Sequence, residues 1–317
     1  MPGSGIQVSP IALGSRRPRW TSASVQRHVF AYLSLLPATI VVALFTLYPT
    51  LYSLNLALHQ YHLLRPGRHP FVGTRNFVEA LSTPGLYSSL LVTLQFTVMS
   101  VAGTAVLGTL IALLLNQPFR LARVLQVAIL IPWAMPGVMA GIIWRWVFRG
   151  DVGVLNGLLY SLGLIDSYRS FLGDPITAKL ALVVAHLWKH LPLATILLLA
   201  TLQVIPRELY DAAKLDGAGT WHLFRSITFP FLKPTLAVVL IFDTIVAFTT
   251  FDLVFAMTGG GPANATTLIA WYIYNEIFTN LNLGRGAALA FLVALLTLLI
   301  ALVYLRALRT ERLCREG

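Results

Sequence analysis

The sequence predicts an all-α polytopic membrane protein with six membrane-spanning helices, and three observations support this fold class. Hydrophobic residues make up 57% of the 317 positions and charged residues only 11%, whereas about a quarter of the residues in soluble globular domains are charged. Apolar segments long enough to cross ~30 Å of hydrocarbon, about 20 helical residues each, recur along the chain. The basic residues flank these segments, as expected for a protein embedded in a bilayer.

Polar and proline-containing stretches divide the chain into its predicted elements. The first 28 residues are rich in Ser, Pro, Gly and Arg and predict a flexible tail, and residues 309–317 predict a short basic tail. Pro132 and Pro136-Gly137 predict a break in the third apolar segment, and residues 154–162 predict a short interfacial helix. The six predicted spans are residues 29–58, 86–116, 125–148, 176–205, 235–257 and 287–308.

The distribution of lysine and arginine predicts the orientation of the spans. With the N terminus in the cytoplasm, the cytoplasmic segments carry 14 of these residues and the external loops carry six. Because cytoplasmic loops of membrane proteins are enriched in Lys and Arg, both termini are predicted to be cytoplasmic. The formal net charge of +11 is accounted for by these flanking residues, so we do not expect nucleic-acid binding.

A charged segment, residues 206–234, lies between the fourth and fifth predicted spans, and we call it the elbow. Pro206 and Glu208 favour the first turn of a short helix, because proline needs no N–H there and the helix dipole favours an anion. Gly217 is suited to the left-handed conformation that ends such a helix. The elbow therefore begins with a predicted helix of about two or three turns.

A second short helix is predicted within the elbow. Thr220 is a good N-cap residue, and Pro230 and Pro234 are expected to end the helix that it begins. A folded and charged segment between two membrane spans is suited to binding a soluble protein. The alternative is a solvated loop that only reverses the direction of the chain.

The elbow also contains a spaced motif. Asp211-Ala212-Ala213 is followed after three residues by Gly217, and after nine more by Ile227-Thr228-Phe229-Pro230. This pattern resembles the EAA signature of the permease subunits of binding-protein-dependent ABC importers, which reads E-A-A, three residues, G, nine residues, I-x-L-P. Asp replaces Glu and Phe replaces Leu, and the spacing matches throughout.

The resemblance extends from the second span to the sixth. The run from Phe251 to Pro262, FDLVFAMTGGGP, resembles the first-type permease of carbohydrate importers, the maltose and glycerol-3-phosphate kind. The resemblance implies a MetI-like, maltose-permease-like fold in a bacterial or archaeal cytoplasmic membrane, and sugar import by alternating access. The implied partners are a second, non-identical permease, two ATPase subunits, an extracytoplasmic solute-binding protein, the lipid bilayer and the sugar.

The resemblance also implies a role for the elbow, as a coupling helix inserted into a cleft of the ATPase. The two alanines would allow close approach, Asp211 would pair at the rim of the cleft, and Gly217 would permit the turn. The residues expected to couple to the ATPase are Glu208, Asp211, Ala212, Ala213, Asp216 and Gly217.

The sequence contains no nucleotide-binding loop of its own. A Walker A loop places Ser or Thr directly after its lysine, so that ammonium and hydroxyl groups reach phosphate and Mg²⁺. None of the four lysines in this chain is followed by Ser or Thr. We therefore expect a transport subunit that is not an enzyme and binds no cofactor, with ATP and Mg²⁺ held by the partner ATPase.

Several ionisable residues lie inside the predicted spans, where each needs a partner or a wet cavity. At ~1.5 Å per residue from the predicted cytoplasmic ends, Lys189 lies ~24 Å up and Asp252 ~26 Å up, so they could share a level. Asp243 lies only ~12 Å up and is expected near the elbow. His186 and His190 share a helix face, and a polar packing role is expected for them ahead of a metal site.

These residues have two interpretations. They could hydrogen-bond sugar hydroxyls or gate a pathway, with aromatic rings stacking on sugar faces; alternatively, Lys189–Asp252 is a structural ion pair and the aromatic rings are packing or interface residues. The candidate pathway residues are Trp133, Trp188, Lys189, Asp243, Phe251 and Asp252.

Three other functions are weighed against a sugar permease. A glycerol-3-phosphate or other polyol permease stays open, although the few Lys and Arg residues in the spans favour a neutral sugar. A stand-alone proton-coupled transporter, with Lys189, Asp243 or Asp252 relaying protons, would leave the elbow without a role, and no pair of matching interrupted halves is visible. A membrane enzyme is disfavoured because no catalytic motif lies at a water boundary.

Overall fold

The structure is a computed structural model that describes residues 22–65, 67, 69–118 and 120–313. The chain forms two compact units that divide between Ser53 and Leu54. The described part of the first unit is helical, and nearly all of its side chains from Val29 onward are exposed. Most of these exposed side chains are apolar, as expected for a helix surrounded by hydrocarbon. Its elements are α1 (Ser22–Val42), a π-helical turn (Ala43–Leu47) and the start of α2 (Tyr48–Ala57).

The second unit is also helical. Its first half contains α3 (Arg75–Leu81), α4 (Pro84–Leu115), α5 (Ala122–Ala128), α6 (Ile131–Ala134), α7 (Gly137–Val147) and α8 (Val154–Ser161). Its second half contains α9 (Pro175–Val204), α10 (Arg207–Leu215), α11 (Thr220–Leu223), α12 (Phe229–Phe248), α13 (Asp252–Met257), α14 (Ile269–Tyr274) and α15 (Leu283–Leu313). Two further π-helical turns are Phe224–Thr228 and Asn275–Thr279.

The predicted class, an all-α polytopic membrane protein, is confirmed. Among the described residues, five helices are long and apolar enough to cross a bilayer, and a sixth candidate consists of two helices bent by 100°. The five are Val29–Ala57, Pro84–Leu115, Pro175–Val204, Thr220–Phe248 and Leu283–Tyr304, and the bent pair is Ala122–Ala134 with Gly137–Val147.

The chain ends differ from the predicted tails. Residues 1–21 of the predicted N-terminal tail lie outside the described residues, and α1 already begins at Ser22. The predicted C-terminal tail begins at residue 309, but α15 continues to Leu313, and residues 314–317 lie outside the described part. Both helices therefore continue beyond the apolar segments that the sequence pattern identified.

Small residues hold the centre of the second unit together. Helix α4 packs on α9 and α12, and its buried residues recur every three or four positions along one face. A methyl group at Gly103 would lie 2.9 Å from Leu187, and one at Gly108 would lie 3.3 Å from Ala194. Because lipid is as apolar as a leucine side chain, such close contact is what drives helices together in a membrane. The buried residues of α4 are Leu86, Ser89, Thr93, Phe96, Thr97, Ser100, Thr104, Gly108, Ala112 and Leu115.

The prediction that Pro230 and Pro234 end a short elbow helix is wrong. One helix runs from Thr220 to Phe248. The π-helical turn before α12 makes this possible, because the Phe229 N–H donates to Phe224 O, five residues back. The π-helical turn shifts the hydrogen-bonding register, so the helix tolerates the ring and the missing N–H of Pro230, the residue after Phe229.

The fifth span also differs from its predicted limits, residues 235–257. The helix ends at Phe248, residues 249–251 are not helical, and the short helix α13 follows. The Thr249 and Thr250 hydroxyls donate to the carbonyls of Ile245 and Val246. Ile245 O also accepts from the Thr249 N–H, whereas Val246 O gains the Thr250 hydroxyl in place of the Thr250 N–H, which bonds Ala247 O instead.

Loop segments before α3 pack against the start of α15. The Asn76 side-chain amide is buried and donates to Ala57 O at 2.8 Å and His59 O at 2.9 Å. Gly284 lies so close to the His59 carbonyl oxygen that no Cβ fits between them. The buried Glu276 pairs with Arg285 at 3.4 Å beside this contact. Position 284 therefore requires glycine, because the two backbone segments approach too closely for a side chain.

We expect Gly284→Ala to lower the apparent Tm of the detergent-purified protein by several degrees. The added methyl group must displace backbone, and overpacking of this kind costs ~1–3 kcal/mol. Gly157→Ala is the matched control, because its methyl group meets only the Tyr168 hydroxyl, at 3.7 Å. A thermal-shift measurement in which both variants melt like the wild type would contradict the prediction.

Asp174 caps the exposed N-terminus of α9. Its carboxylate accepts hydrogen bonds from the Thr177 and Ile176 N–H groups at 2.9 Å and 3.1 Å. The Thr177 bond is the main reason that the pKa of this carboxyl is lowered. A lowered pKa means that the folded state favours the carboxylate, so the cap stabilises at neutral pH and is lost as pH falls through that pKa.

Asp174→Ala should therefore lower the apparent Tm at neutral pH, and the difference from wild type should shrink below about pH 4. The exposed Asp166, in the same loop, accepts no hydrogen bond within the described residues, so Asp166→Ala serves as the control. A melting difference for Asp174→Ala that persists unchanged at low pH would show that the charge is not responsible.

Candidate functional site

The first half of the elbow folds as the short helix α10, between α9 and the long helix Thr220–Phe248. Pro206 is the residue before the helix, with φ −60° and ψ 132°, so α10 begins one residue later than predicted. Gly217 has φ +81°, the left-handed conformation that the sequence predicts. The Ala218 N–H donates to Ala213 O at 2.9 Å and the Gly217 N–H to Lys214 O at 3.0 Å. These bonds form a Schellman end, which a glycine favours.

The surface of α10 is exposed and amphipathic. None of its residues is buried, and Leu215 is 89% exposed. Leu209 on the same helix and Trp221 at the start of the next are also exposed. Asp211 and Lys214 form an exposed ion pair at 3.9 Å, which contributes little to stability. Of the predicted coupling residues, Glu208, Asp211, Ala212, Asp216 and Gly217 are exposed and Ala213 is half-buried.

The inner side of α10 is attached to the membrane helices by a residue that sequence reasoning missed. The Tyr210 hydroxyl shares a hydrogen bond of 2.9 Å with the buried Thr228 hydroxyl. The Tyr210 ring packs on an apolar cluster that includes Leu202 and Leu232. The only signal in the sequence was an aromatic residue beside Leu209 on a short amphipathic helix. The elbow is thus exposed on one side and anchored on the other.

A buried hydrogen-bonded pair joins α9 to α12 above the elbow. His186 Nε2 lies 3.0 Å from Asp243 Oδ1, and the two side chains are 0% and 3% exposed. The expectation that Asp243 sits near the elbow is wrong. Its partner His186 lies 18 residues before the end of α9 at Val204, about 27 Å along the helix, and the helix that carries Asp243 begins at Thr220, 15 residues before the predicted start at 235. A charge at this depth needs a partner, and His186 supplies one.

Aromatic rings and hydroxyl groups surround this pair. The His186 ring packs on His190, with ring centroids 4.3 Å apart, and edge-on against Phe96 at 5.3 Å. Within the part of the chain that the structure describes, no group of three or more His, Cys, Asp and Glu side chains could hold a metal ion. The Thr and Ser hydroxyls of α4 line the same region, and the buried ones include Thr97, Ser100 and Thr104.

Lys189 and Asp252 do not pair with each other, contrary to the expectation. Lys189 Nζ donates to Met135 O at 2.8 Å. The Asp252 carboxylate lies against Gly137, and its Oδ1 accepts from the Leu253 N–H at 3.0 Å. Among the described ion pairs none joins the two residues. Lys189 contacts Met135 and Asp252 contacts Gly137, the two ends of the break at residues 135–137, where the chain bends by 100°.

The candidate aromatic residues lie in different surroundings. Trp133 is 44% exposed, whereas Trp188 is half-buried and in edge contact with Trp144 at 5.9 Å. Phe251 stacks on Trp271 and contacts Tyr274 at 5.0 Å, in an aromatic cluster that sequence reasoning missed. The spacing of Trp271 and Tyr274 is helical, but both fell in a stretch interpreted as a loop. The structure thus places Phe251 and Asp252 beside the break that Lys189 also contacts.

Comparison with known proteins agrees with this geometry. Residues 104–310 match the family model described as binding-protein-dependent transport system inner membrane component. The trehalose/maltose transport system permease protein MalF of Thermococcus litoralis is 40% identical over 282 residues, covering 89% of this chain and 94% of that protein. The sulfoquinovosyl glycerol transport system permease protein SmoG of Agrobacterium fabrum is 37% identical over 295 residues, covering 93% and 95%.

A solved structure shares the fold. The crystal structure of a bacterial ABC transporter involved in the import of the acidic polysaccharide alginate contains a chain that matches with a TM-score of 0.77 at 22% identity. The match covers 91% of this chain and 98% of that one. The bundle of apolar helices with an exposed elbow therefore defines a multi-pass inner-membrane transport permease. The chain belongs to the family of binding-protein-dependent transport system inner membrane components.

Gly137→Ala should disrupt the break at 135–137, because its methyl group would overlap the Asp252 carboxylate. We expect Gly137→Ala to lower both the yield of folded permease and its transport, and Gly137→Ala with Asp252→Ala, which removes the overlapping atoms, to recover the yield of folded permease. Gly219→Ala is the control, because a methyl group at Gly219 would meet open space. An active Gly137→Ala single variant would contradict this packing.

Proposed function

We propose that this chain is the permease subunit of an ATP-driven importer that moves a sugar across the cytoplasmic membrane by alternating access. The observation that carries the proposal is the exposed amphipathic helix α10, held between two membrane helices and bearing the spaced Asp211–Gly217 motif. The names of the relatives, which concern trehalose/maltose and sulfoquinovosyl glycerol transport, support a carbohydrate substrate.

The elbow is proposed to bind a separate ATPase. Its exposed apolar side chains, Leu215 and Trp221, are 89% and 71% exposed and are flanked by charged residues. An apolar anchor with a polar rim is the usual composition of a protein interface. Ala212 leaves space for close approach of the partner. The proposed contact residues are Glu208, Asp211, Ala212, Ala213, Asp216 and Gly217.

The remaining subunits follow from the same proposal. A second, non-identical permease completes the pathway, two ATPase subunits bind the elbows, and an extracytoplasmic solute-binding protein delivers the sugar. ATP and Mg²⁺ are bound by the ATPase, and this chain binds no cofactor and is not itself an enzyme. The elbow and both termini face the cytoplasm, in agreement with the excess of Lys and Arg in those segments.

The proposed sugar pathway runs beside the break at residues 135–137. Trp188, Lys189, Phe251 and Asp252 are half-buried near it, and Trp133 is more exposed. Aromatic faces and a few hydrogen-bonding groups are what a sugar site needs. Asp243, also a candidate, is buried and bonded to His186, so we assign it a different role below. With Lys189 already bonded to a carbonyl, a neutral sugar fits better than a polyol phosphate.

A Gly217→Val variant tests the coupling role of the elbow. A branched side chain is strained at φ +81°, so the end of α10 should rearrange. We expect sugar uptake and ATP hydrolysis stimulated by the binding protein to fall at least about tenfold in proteoliposomes, while the amount of inserted permease stays unchanged. Gly219→Val is the matched control, because Gly219 has φ −76° and open space around it.

Purification of the tagged wild-type chain from its native membrane in mild detergent gives the second test. Mass spectrometry should identify an ATPase and a second permease, and the complex should hydrolyse ATP. A lone chain that takes up solute with a proton gradient and no ATPase would overturn the proposed function. Wild-type uptake by Gly217→Val would leave the importer intact but remove the coupling role of this turn.

A further inference from the structure

Three side-chain hydrogen bonds connect the chain before the elbow turn to the helix after it. Tyr210 of α10 bonds Thr228 at 2.9 Å, Thr201 of α9 bonds Thr235 at 2.7 Å, and His186 of α9 bonds Asp243 at 3.0 Å. We call these three pairs the cross-helix row. Each pair joins residues on opposite sides of the Gly217 turn.

The row follows one face of the long helix Thr220–Phe248. Its members Thr228, Thr235 and Asp243 are separated by seven and eight residues, about two helical turns each, or ~10–12 Å. The row therefore extends from the elbow deep into the membrane domain. At its far end, His186 also packs edge-on against Phe96 of α4, 5.3 Å away. The last pair thus lies where α4, α9 and α12 meet.

We propose that the cross-helix row makes α9, α10 and the helix Thr220–Phe248 move as one rigid unit, with His186 and Asp243 as the positioning residues at its far end. A displacement applied to α10 then reaches the centre of the membrane domain without loss. This inference rests on the proposed coupling function of the elbow and adds the residues that transmit the motion.

A buried polar pair fixes the register of two helices more strictly than apolar packing does. Apolar side chains can slide past one another at little cost, whereas a slide of one turn would separate His186 from Asp243. Both side chains are fully or almost fully buried, so separation would leave a charge and a polar ring without partners in an apolar region. The pair therefore holds α9 and α12 in a single relative position.

The contacts of the pair favour this role over a proton relay. A relay needs hydrogen-bonded groups that continue toward water on both sides. His190, which packs on His186 with ring centroids 4.3 Å apart, has a buried Nδ1 without a hydrogen-bond partner in the part of the chain that the structure describes. Lys189 donates to Met135 O, and Asp252 accepts from its neighbouring N–H. Within the described residues, neither is bonded to His186 or Asp243. The buried pair thus ends in the packed core.

The first experiment uses the reconstituted complex in proteoliposomes and measures sugar transported per ATP hydrolysed. In His186→Leu with Asp243→Leu, both polar groups are replaced together, so no uncompensated charge remains and the complex should assemble. We expect stimulated ATP hydrolysis near the wild-type rate and a transport-to-ATP ratio lower by at least about fivefold. Asp243→Asn, which keeps a hydrogen bond to His186, should retain most of the ratio.

Thr195→Val is the matched control. Thr195 is equally buried on α9, is nearly isosteric with valine, and lies outside the cross-helix row. Its ratio should equal that of the wild type. If the double-leucine variant transports as much sugar per ATP as the wild type, even at a reduced yield of complex, the pair is merely structural and the inference is overturned. The proposed function would survive that result, because it fails only if the wild-type complex lacks ATP-driven uptake.

A covalent cross-link tests rigidity directly. The Thr201 and Thr235 hydroxyls lie 2.7 Å apart, so cysteines at both positions, in a Cys314→Ser background, should join on oxidation or through a short bifunctional thiol reagent. If the two helices move as one unit, the cross-linked permease should transport at the rate of its reduced form. Transport that stops on cross-linking and returns on reduction would show that the helices move relative to each other, contrary to the inference.

Discussion

The close packing of α4 against α9 is the contact on which the rest of the second unit depends. In hydrocarbon there is no hydrophobic force to bring helices together, so contact requires small residues and complementary surfaces. Leu187 packs against Gly103, and Ala194 packs against Gly108. This approach places the Thr and Ser face of α4 opposite His186 and closes the region where α12 brings Asp243. The elbow and the break at residues 135–137 are both held by helices of this central group.

Two irregular points, the elbow and the break at residues 135–137, give the membrane helices their functional geometry. At the elbow, a left-handed glycine and a Schellman end turn the chain sharply while α10 stays exposed. At residues 135–137 the chain bends by 100°, and Lys189 and Asp252 contact the two ends of the bend instead of each other. Non-helical backbone is tolerated at membrane depth only where protein or a cavity satisfies its polar groups, and the Lys189 bond to Met135 O does this.

Sequence reasoning worked where a local rule decides the outcome. Apolar length identified the membrane helices, Pro136-Gly137 identified the break, and Gly217 identified the end of α10. It failed where a local irregularity has no sequence signature and where two distant segments interact. The π-helical turn that carries the helix through Pro230 has no single-residue signature, and so the start of the fifth helix was placed at 235 instead of Thr220. That error in turn displaced Asp243 and hid its pairing with His186.

The sequence by itself determined the class of the protein, its helical membrane segments and the charged elbow with its spaced motif. These follow from composition and short-range spacing, because the bilayer requires every span to satisfy its own backbone hydrogen bonds. Only the tertiary structure decided which side chains meet across helices: His186 with Asp243, Tyr210 with Thr228, and Lys189 with the carbonyl of Met135. Such pairings depend on the rotation and height of each helix, which are set by packing against its neighbours and leave no periodic signal in the chain.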